Sequence, residues 1–395
     1  MANTMKFGNG QWATKEDSIL AYNDENANFK PLPFVTSRAS TATRVNKAGL
    51  LETVASGIPR VDYLGNTKGA YLLEPQSTNL VTYSEDFSQS IWQKNSTGSA
   101  SAPIITSNFA ISPTGNTNAT RVQFNISGST SSDKSSLEHL FQLDGSSSYT
   151  LSFYIKSNTG VNQNLSFFTN SNYGNRITTT NKWIRVVQTF SSNSAFNRGF
   201  GLVSSGDVQQ TVDVLIFGAQ IEQKSYATSY IKTSGSQITR LAEYASQTVP
   251  DGVINSSEGV LYWCGKSLAN DGLNRRISLS DGSGSNRIVI SFSSSNNIQI
   301  FIVVAGVAEF VPSFVTDITQ TMKIALSFAL NKLQFWVNGA LISEDLSSSI
   351  FTENTLNTLN FADGTGSLPF YSKTKDLRVY NTVLTDAELA KLTKI

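Results

Sequence analysis

The sequence predicts an all-β chain in which an extended N-terminal attachment segment is followed by two β-sandwich, or jelly-roll, domains. Short runs of alternating apolar and polar residues recur along the 395 residues, and Gly, Ser and Asn turns separate them at intervals near those of sandwich folds. Helix signals occur at one place only, the C-terminus. Charged residues make up 15% of the chain, against roughly 25% in an average globular protein, and Ser, Thr and Asn fill the surface role instead.

The domain reading runs in order. Residues 1–79 read as thin extended pieces broken by turns, with period-2 character at Val45, Leu51, Val54, Val61 and Tyr63. Such strands bury little by themselves, so an attachment and oligomerisation segment is expected here, with a self-contained β-subdomain as the alternative. Residues 80–236 form a succession of strands, in which Leu151, Phe153 and Ile155 alternate inward, as do Ile184, Val186 and Gln188. Trp183 and Phe153 are expected in the core. A hinge-like linker at 237–251 leads to a second strand series at 252–395. That series ends in a helix marked by Thr385 and Glu388 at capping-box spacing before Leu389 and Leu392.

Composition excludes several function classes. With 30 basic and 29 acidic residues the formal net charge is +1, so neither nucleic acid nor an anionic membrane is an expected electrostatic partner. The single cysteine, Cys264, permits no intrachain disulfide and no cysteine-type zinc site. The single histidine, His139, removes histidine metal clusters and histidine-dependent triads and is expected to be structural. The opening residues lack a basic-then-apolar export pattern, and no apolar run of about 18 residues occurs. Neither Sec export nor a membrane span is expected. Phosphate-cradling loops are also absent from the sequence.

The stretch "TSRASTATRVNKAGLLETVASGIPRVDYLGNTKGAYLLEPQSTNLVTYSEDFSQSIWQK" resembles the segment that precedes carbohydrate-binding-module-like sandwiches in phage fibre and prophage proteins. The middle region, closing with "FGAQIEQKSYATSYIKTSGSQITR", is similar to those modules, with Lys232 standing where proline is frequent. In the last region "KIALSFALNKLQFWVNGALI", with its V-N-G turn at Val337–Gly339, and "LRVYNTVLTDAELAKL" resemble the concanavalin A-like, laminin-G-type jelly roll. The resemblance implies a virion protein released by lysis, a homotrimer attached to other virion proteins through its N-terminal segment, whose sandwiches adhere to host surface polysaccharide. A non-binding capsid decoration or head-fibre protein and a polysaccharide depolymerase are the alternatives.

Both sandwich classes often bind sugars through aromatic faces, amides and arginines. The loop residues that fit are Asn172, Tyr173, Asn175 and Arg176, and Asn274, Arg275 and Arg276. Related sandwiches frequently hold a structural calcium between first-strand and last-strand acids. Glu85 and Asp86 supply the first, but Gly218 and Ala219 stand where the second acidic pair would be, so no metal or other cofactor is expected. Retaining glycosidases of the jelly-roll type set carboxylates at alternating positions on one strand. No strand here does so, and the adjacent Glu344 and Asp345 would face opposite sides. No catalytic residue is assigned.

Overall fold

The computed structural model describes residues 4–7, 12–15, 18–23, 28–31, 34–142, 144–169, 176–191, 197–248, 254–293 and 296–395. Among these, strands and turns account for everything except one short helix, Asp386–Thr393, so the fold is all-β as predicted. The chain divides into two compact units, and one interrupts the other in sequence. Ser77–Arg240, with Leu50–Glu52, forms the inserted unit, while Met1–Gly49, Thr53–Gln76 and Leu241–Ile395 form the other.

The discontinuous unit is a sandwich of two antiparallel sheets. In the first, the order is Ala340–Asp345, Lys332–Val337, Met322–Ala329, Glu258–Ser267, Ser372–Tyr380, Ala70–Leu72 and Arg60–Asp62, with Thr4–Phe7 also paired to Ser372–Tyr380. In the second, it is Val307–Phe310, Asn297–Val304, Arg287–Ser293, Arg275–Ser280, Thr358–Asn360, Tyr244–Thr248 and Val35–Ser37. Strands from the expected attachment segment and from the expected linker thus complete the sheets of the C-terminal jelly roll. The reason lies in their apolar faces: Val61, Tyr71 and Leu73 are buried in the same core as Trp263, Ile290 and Phe335. Trp263 fills the centre, edge-on to Phe292 and Phe370 at 5.3 and 5.2 Å, and its indole N–H donates to the Thr374 hydroxyl at 3.0 Å.

Charged residues also enter this unit. Arg38, Arg60, Glu74 and Glu243 are all buried. Arg60 donates to both Glu243 oxygens and pairs with Glu74 at 2.8 Å, while Arg38 donates to Glu243 Oε1 at 2.5 Å. Burial opposes the charge on Arg60, but Glu243 and Glu74 outweigh it and hold the guanidinium protonated. The Glu74 and Glu243 backbones bond as well, Glu243 N–H to Glu74 carbonyl at 3.1 Å.

The C-terminal helix obeys its sequence signals. The Thr385 hydroxyl accepts from Glu388 N–H while the Glu388 carboxylate accepts from Thr385 N–H, closing the capping box. Its inner face, led by Leu389, covers Val260, Tyr262, Cys264, Ala325 and Trp336 on the outer side of the first sheet. Asn338 and Gly339 both take positive φ, 51° and 90°, the primed-turn geometry that reverses Lys332–Val337 into Ala340–Asp345.

The inserted unit is a second sandwich, with five strands in each sheet. One sheet runs Trp92–Thr97, Lys134–Gln142, Asn197–Ser205, Gln163–Thr169, Arg176–Thr179; the other runs Ala100–Ile111, Thr117–Ile126, Thr211–Glu222, Ser148–Ser157, Ile184–Ser191. Phe153 is fully buried between them, whereas Trp183 is only half-buried and donates to the Ile111 carbonyl. A two-stranded ribbon, Ser77–Asn79 against Ile238–Arg240, closes the ends of the insertion. Beside it Asn79 uses both ends of its amide, donating to Ala219 and Ile231 carbonyls and accepting from Val81 and Ile221 N–H groups.

His139 lies buried, edge-on to Trp92 with ring centroids 5.2 Å apart. Burial pushes its imidazole below the ordinary value, so the fold favours the neutral ring. The unfolded chain takes up a proton near pH 6.5, and His139 is the only histidine of the sequence. The stabilisation is therefore complete above that pH and is lost as pH falls through the window beneath it. Denaturant midpoints measured at pH 7.5 and 5.5 should fall for the native chain, and His139→Phe should flatten that drop.

Candidate functional site

Side chains of a strand alternate between its two faces. In the second sheet of the discontinuous unit, Ile277, Leu279, Ile288, Ile290, Ile298 and Ile300 point into the core. Their neighbours Arg276, Arg287, Ser291, Gln299, Phe301 and Asn360 therefore share the opposite face. The helix covers the first sheet, so this second sheet has the outer face without a helix, and those polar side chains are half-buried or buried. Tyr244, 48% exposed, stands on the same face at the far side.

A loop walls one margin of the face. Arg276 N–H donates to the Leu368 carbonyl at 2.9 Å, and the Ser278 hydroxyl donates to the Ala362 carbonyl at 2.9 Å, which folds residues 361–368 over one margin. Gly364 is required there, because a Cβ would stand 2.1 Å from the Ser283 carbonyl oxygen. In this recess the Arg276 guanidinium lies 4.9 Å above the Phe301 ring, a cation–π contact, with Nη1 3.6 Å from Asp363 Oδ2. Its Nε is 3.4 Å from the Ser291 hydroxyl. Burial, then the like charge of Arg287, weaken the hold of Arg276 on its proton, and Asp363 opposes both.

Asp363 has little left to give. Its Oδ1 accepts from Thr365 N–H, the Thr365 hydroxyl and Ser367 N–H at 3.0, 2.8 and 2.9 Å. Two guanidiniums, an aromatic ring and nearby amides are groups whose chemistry suits hydroxyls, oxyanions and the apolar faces of ring compounds. The face offers no nucleophile paired with a base among the described residues.

The sequence-assigned residues are distributed unevenly. Arg276 lies in the recess. Arg275, one position away, points to the other side: it is 1% exposed, its Nη2 pairs with Asp271 at 2.6 Å, and Nη1 donates to the Ala269 and Leu273 carbonyls. Asn274 is exposed on the loop before them. Arg176 belongs to the inserted unit, where it is exposed and 3.7 Å from Asp207. Asn172, Tyr173 and Asn175 fall outside the described residues. Phe301, Arg287 and Asp363 carried no signal in sequence, because only the pairing of separated strands brings them beside Arg276.

On the inserted sandwich, the register aligns Gln93, Glu138, Gly201 and Phe168 in one row across the sheet. Glu138 is buried and accepts the Ser136 hydroxyl at 2.5 Å, and Gly201 is obligatory because a Cβ would meet the Leu137 carbonyl at 1.8 Å. The first-strand acids have partners within the protein. Lys232 pairs with Glu85 at 2.9 Å and Tyr230 donates to it at 3.0 Å, while Asp86 is tied to Ser88 and Gln89. Among the described residues no three His, Cys, Asp or Glu side chains converge as a metal site.

The fold defines a class: an all-β protein of two sandwiches, one set into the sequence of the other. No family model matches the chain, and no curated protein does. Among solved structures, it is similar to a carbohydrate-binding module of the Ruminococcus gnavus intramolecular trans-sialidase bound to α2,3-sialyllactose, at 15% identity and TM-score 0.29, covering 38% of this chain and 98% of that one. It is similar to domain 4 of an extracellular arabinanase from Geobacillus stearothermophilus in complex with arabinotriose, at 14% identity and TM-score 0.32, covering 44% and 84%. It is also similar to domains LG4-5 of the mouse laminin α1 chain, at 9% identity and TM-score 0.26, covering 72% and 89%.

Burial separates the roles of the two adjacent arginines. Arg275→Ala would strand Asp271, whose side chain is 11% exposed, and should cost about 3–5 kcal/mol of stability. Arg276→Ala removes a looser contact of 3.6 Å and leaves Asp363 its hydrogen bonds from Thr365 and Ser367, so it should cost less, about 1–2 kcal/mol. Urea denaturation of both variants checks the contrast.

Proposed function

We propose that this chain is a virion protein of the fibre or spike type, and that it adheres to glycans of a host surface through the open face of its C-terminal jelly roll. The observation that carries the binding is Arg276 held over Phe301 in a walled recess with amide and hydroxyl side chains around it. A pyranose offers what such a recess takes, an apolar C–H face for the ring and hydroxyls for the donors. The low share of charged residues, 15%, supports an extracellular particle surface coated with hydroxyls and amides. The recess binds rather than cleaves, since its one carboxylate is committed to the loop that carries it.

Shallow sugar sites are individually weak, and several copies on one particle raise the effective concentration of the next contact. A homotrimer, attached through the N-terminal segment to other virion proteins, is the assembly proposed. Light scattering should then give three times the mass of the chain, and a monomer at micromolar concentration sinks that assembly.

The binding itself is tested on an array of bacterial surface glycans with the whole chain and with Arg276→Ala. Retention of the native chain on at least one glycan, with a tenfold or greater loss in the variant, is expected. No retention on any glycan favours a structural decoration protein, and equal retention of the variant places the site elsewhere. Release of reducing ends from a bound polysaccharide overturns the reading as a pure binder in favour of a depolymerase.

A further inference from the structure

The charges of this recess are unbalanced, and the imbalance names a ligand. Arg276 and Arg287 stand on neighbouring strands of the same face, in the registers Arg276–Ser291 and Ser280–Arg287. Asp363 is the carboxylate near them, and it pairs with Arg276 alone, at 3.6 Å. Arg287 has no ion pair and no hydrogen-bond acceptor among the described residues, yet its Nε is buried. Asp281, on the adjoining turn, is turned to Ser283 and Asn286 instead.

A buried donor without an acceptor is costly and uncommon in native proteins. Two like charges sharing a recess add to that cost, and the proximity of Arg287 is felt at Arg276. Arg276 is nonetheless held in place by the Phe301 ring and Ser291. Such an arrangement suits an anion supplied from outside. The planar fork of each guanidinium fits a carboxylate by two parallel donors.

We propose, resting on the glycan reading above, that the sugar received by this face is acidic, and that the carboxylate of a uronic-acid-type residue lies against Arg287 and Arg276. The ring of that residue then stacks toward Phe301, and its carboxylate supplies the acceptor that Arg287 lacks. A neutral sugar would leave the second guanidinium unmatched.

The probe is polygalacturonate, compared with its methyl-esterified form, with dextran sulfate and with neutral dextran, each titrated against the whole chain. Acid-form binding at least tenfold tighter than ester-form binding is expected, with the advantage shrinking as salt rises from about 50 to 300 mM. Arg287→Gln should lose most of that advantage at an unchanged thermal midpoint, and Arg287→Lys should restore part of it. Equal binding of acid and ester, both weakened by Arg276→Ala, overturns the acidic ligand but leaves the glycan face standing. Dextran sulfate bound as tightly as polygalacturonate overturns the carboxylate preference. Binding of none of the probes overturns the acidic proposal, and if the glycan array is blank as well, the glycan reading falls with it.

Discussion

The fold of the discontinuous unit depends on a neutral cluster of two arginines and two glutamates buried where no water is available to solvate them. Glu243 is its centre. It receives Arg38 and Arg60 from the strand region before the insertion, and its backbone bonds to Glu74 just before the chain departs. Each charge is tolerable only because the other three are present, since removing a partner from a buried pair leaves an unsolvated ion. Residues separated by up to 205 positions in sequence are thereby held to one arrangement. The short strands Val35–Ser37, Arg60–Asp62 and Ala70–Leu72 add their apolar side chains to the jelly-roll core under that constraint.

The open face follows from the same architecture. Alternation gives every strand of the sandwich one apolar and one outer side, and the unit has one helix to cover an outer side. That helix sits on the sheet containing Trp263 and Trp336. On the other sheet the outer face carries half-buried long side chains, Arg276, Arg287, Gln299 and Phe301, beside small hydroxyls. Ser278 and Ser280 are fully buried beneath their neighbours. Residues 361–368 lie over these serines and wall one side of Arg276.

Much of the fold was legible because alternation is local. Leu151, Phe153 and Ile155 announced their strand, and the Thr385–Glu388 box announced the helix to the residue. Strands with weak alternation were harder. Lys134–Gln142 mixes Glu, His and Lys with its apolar residues, and Ala100–Ile111 carries a proline and seven polar or small positions, so neither shows period 2 clearly. Tyr244–Thr248 is too short and too polar to stand out from a linker, and its place is fixed by partners at residues 35–37 and 358–360. Of the site, Arg276 was visible as an arginine beside a turn. Its partners were not, because the register that sets Phe301 and Arg287 against it joins strands with no common local pattern. Arg275 shows the limit from the other side: adjacent in sequence and identical in chemistry, it is separated from Arg276 by the pleat alone.

The clamp between Glu74 and Glu243 also closes a loop in the chain. The chain leaves the discontinuous unit after residue 76 and rejoins it at 241, so these two residues stand on either side of the excursion and are bonded to each other. Separating residues 74 and 243 therefore requires breaking a backbone hydrogen bond and the buried ion pairs that Arg60 makes to both carboxylates. In covalent order, residues 77–240 are a loop closed by that clamp. Opening of the inserted unit leaves the ends of that loop tied together for as long as the clamp holds.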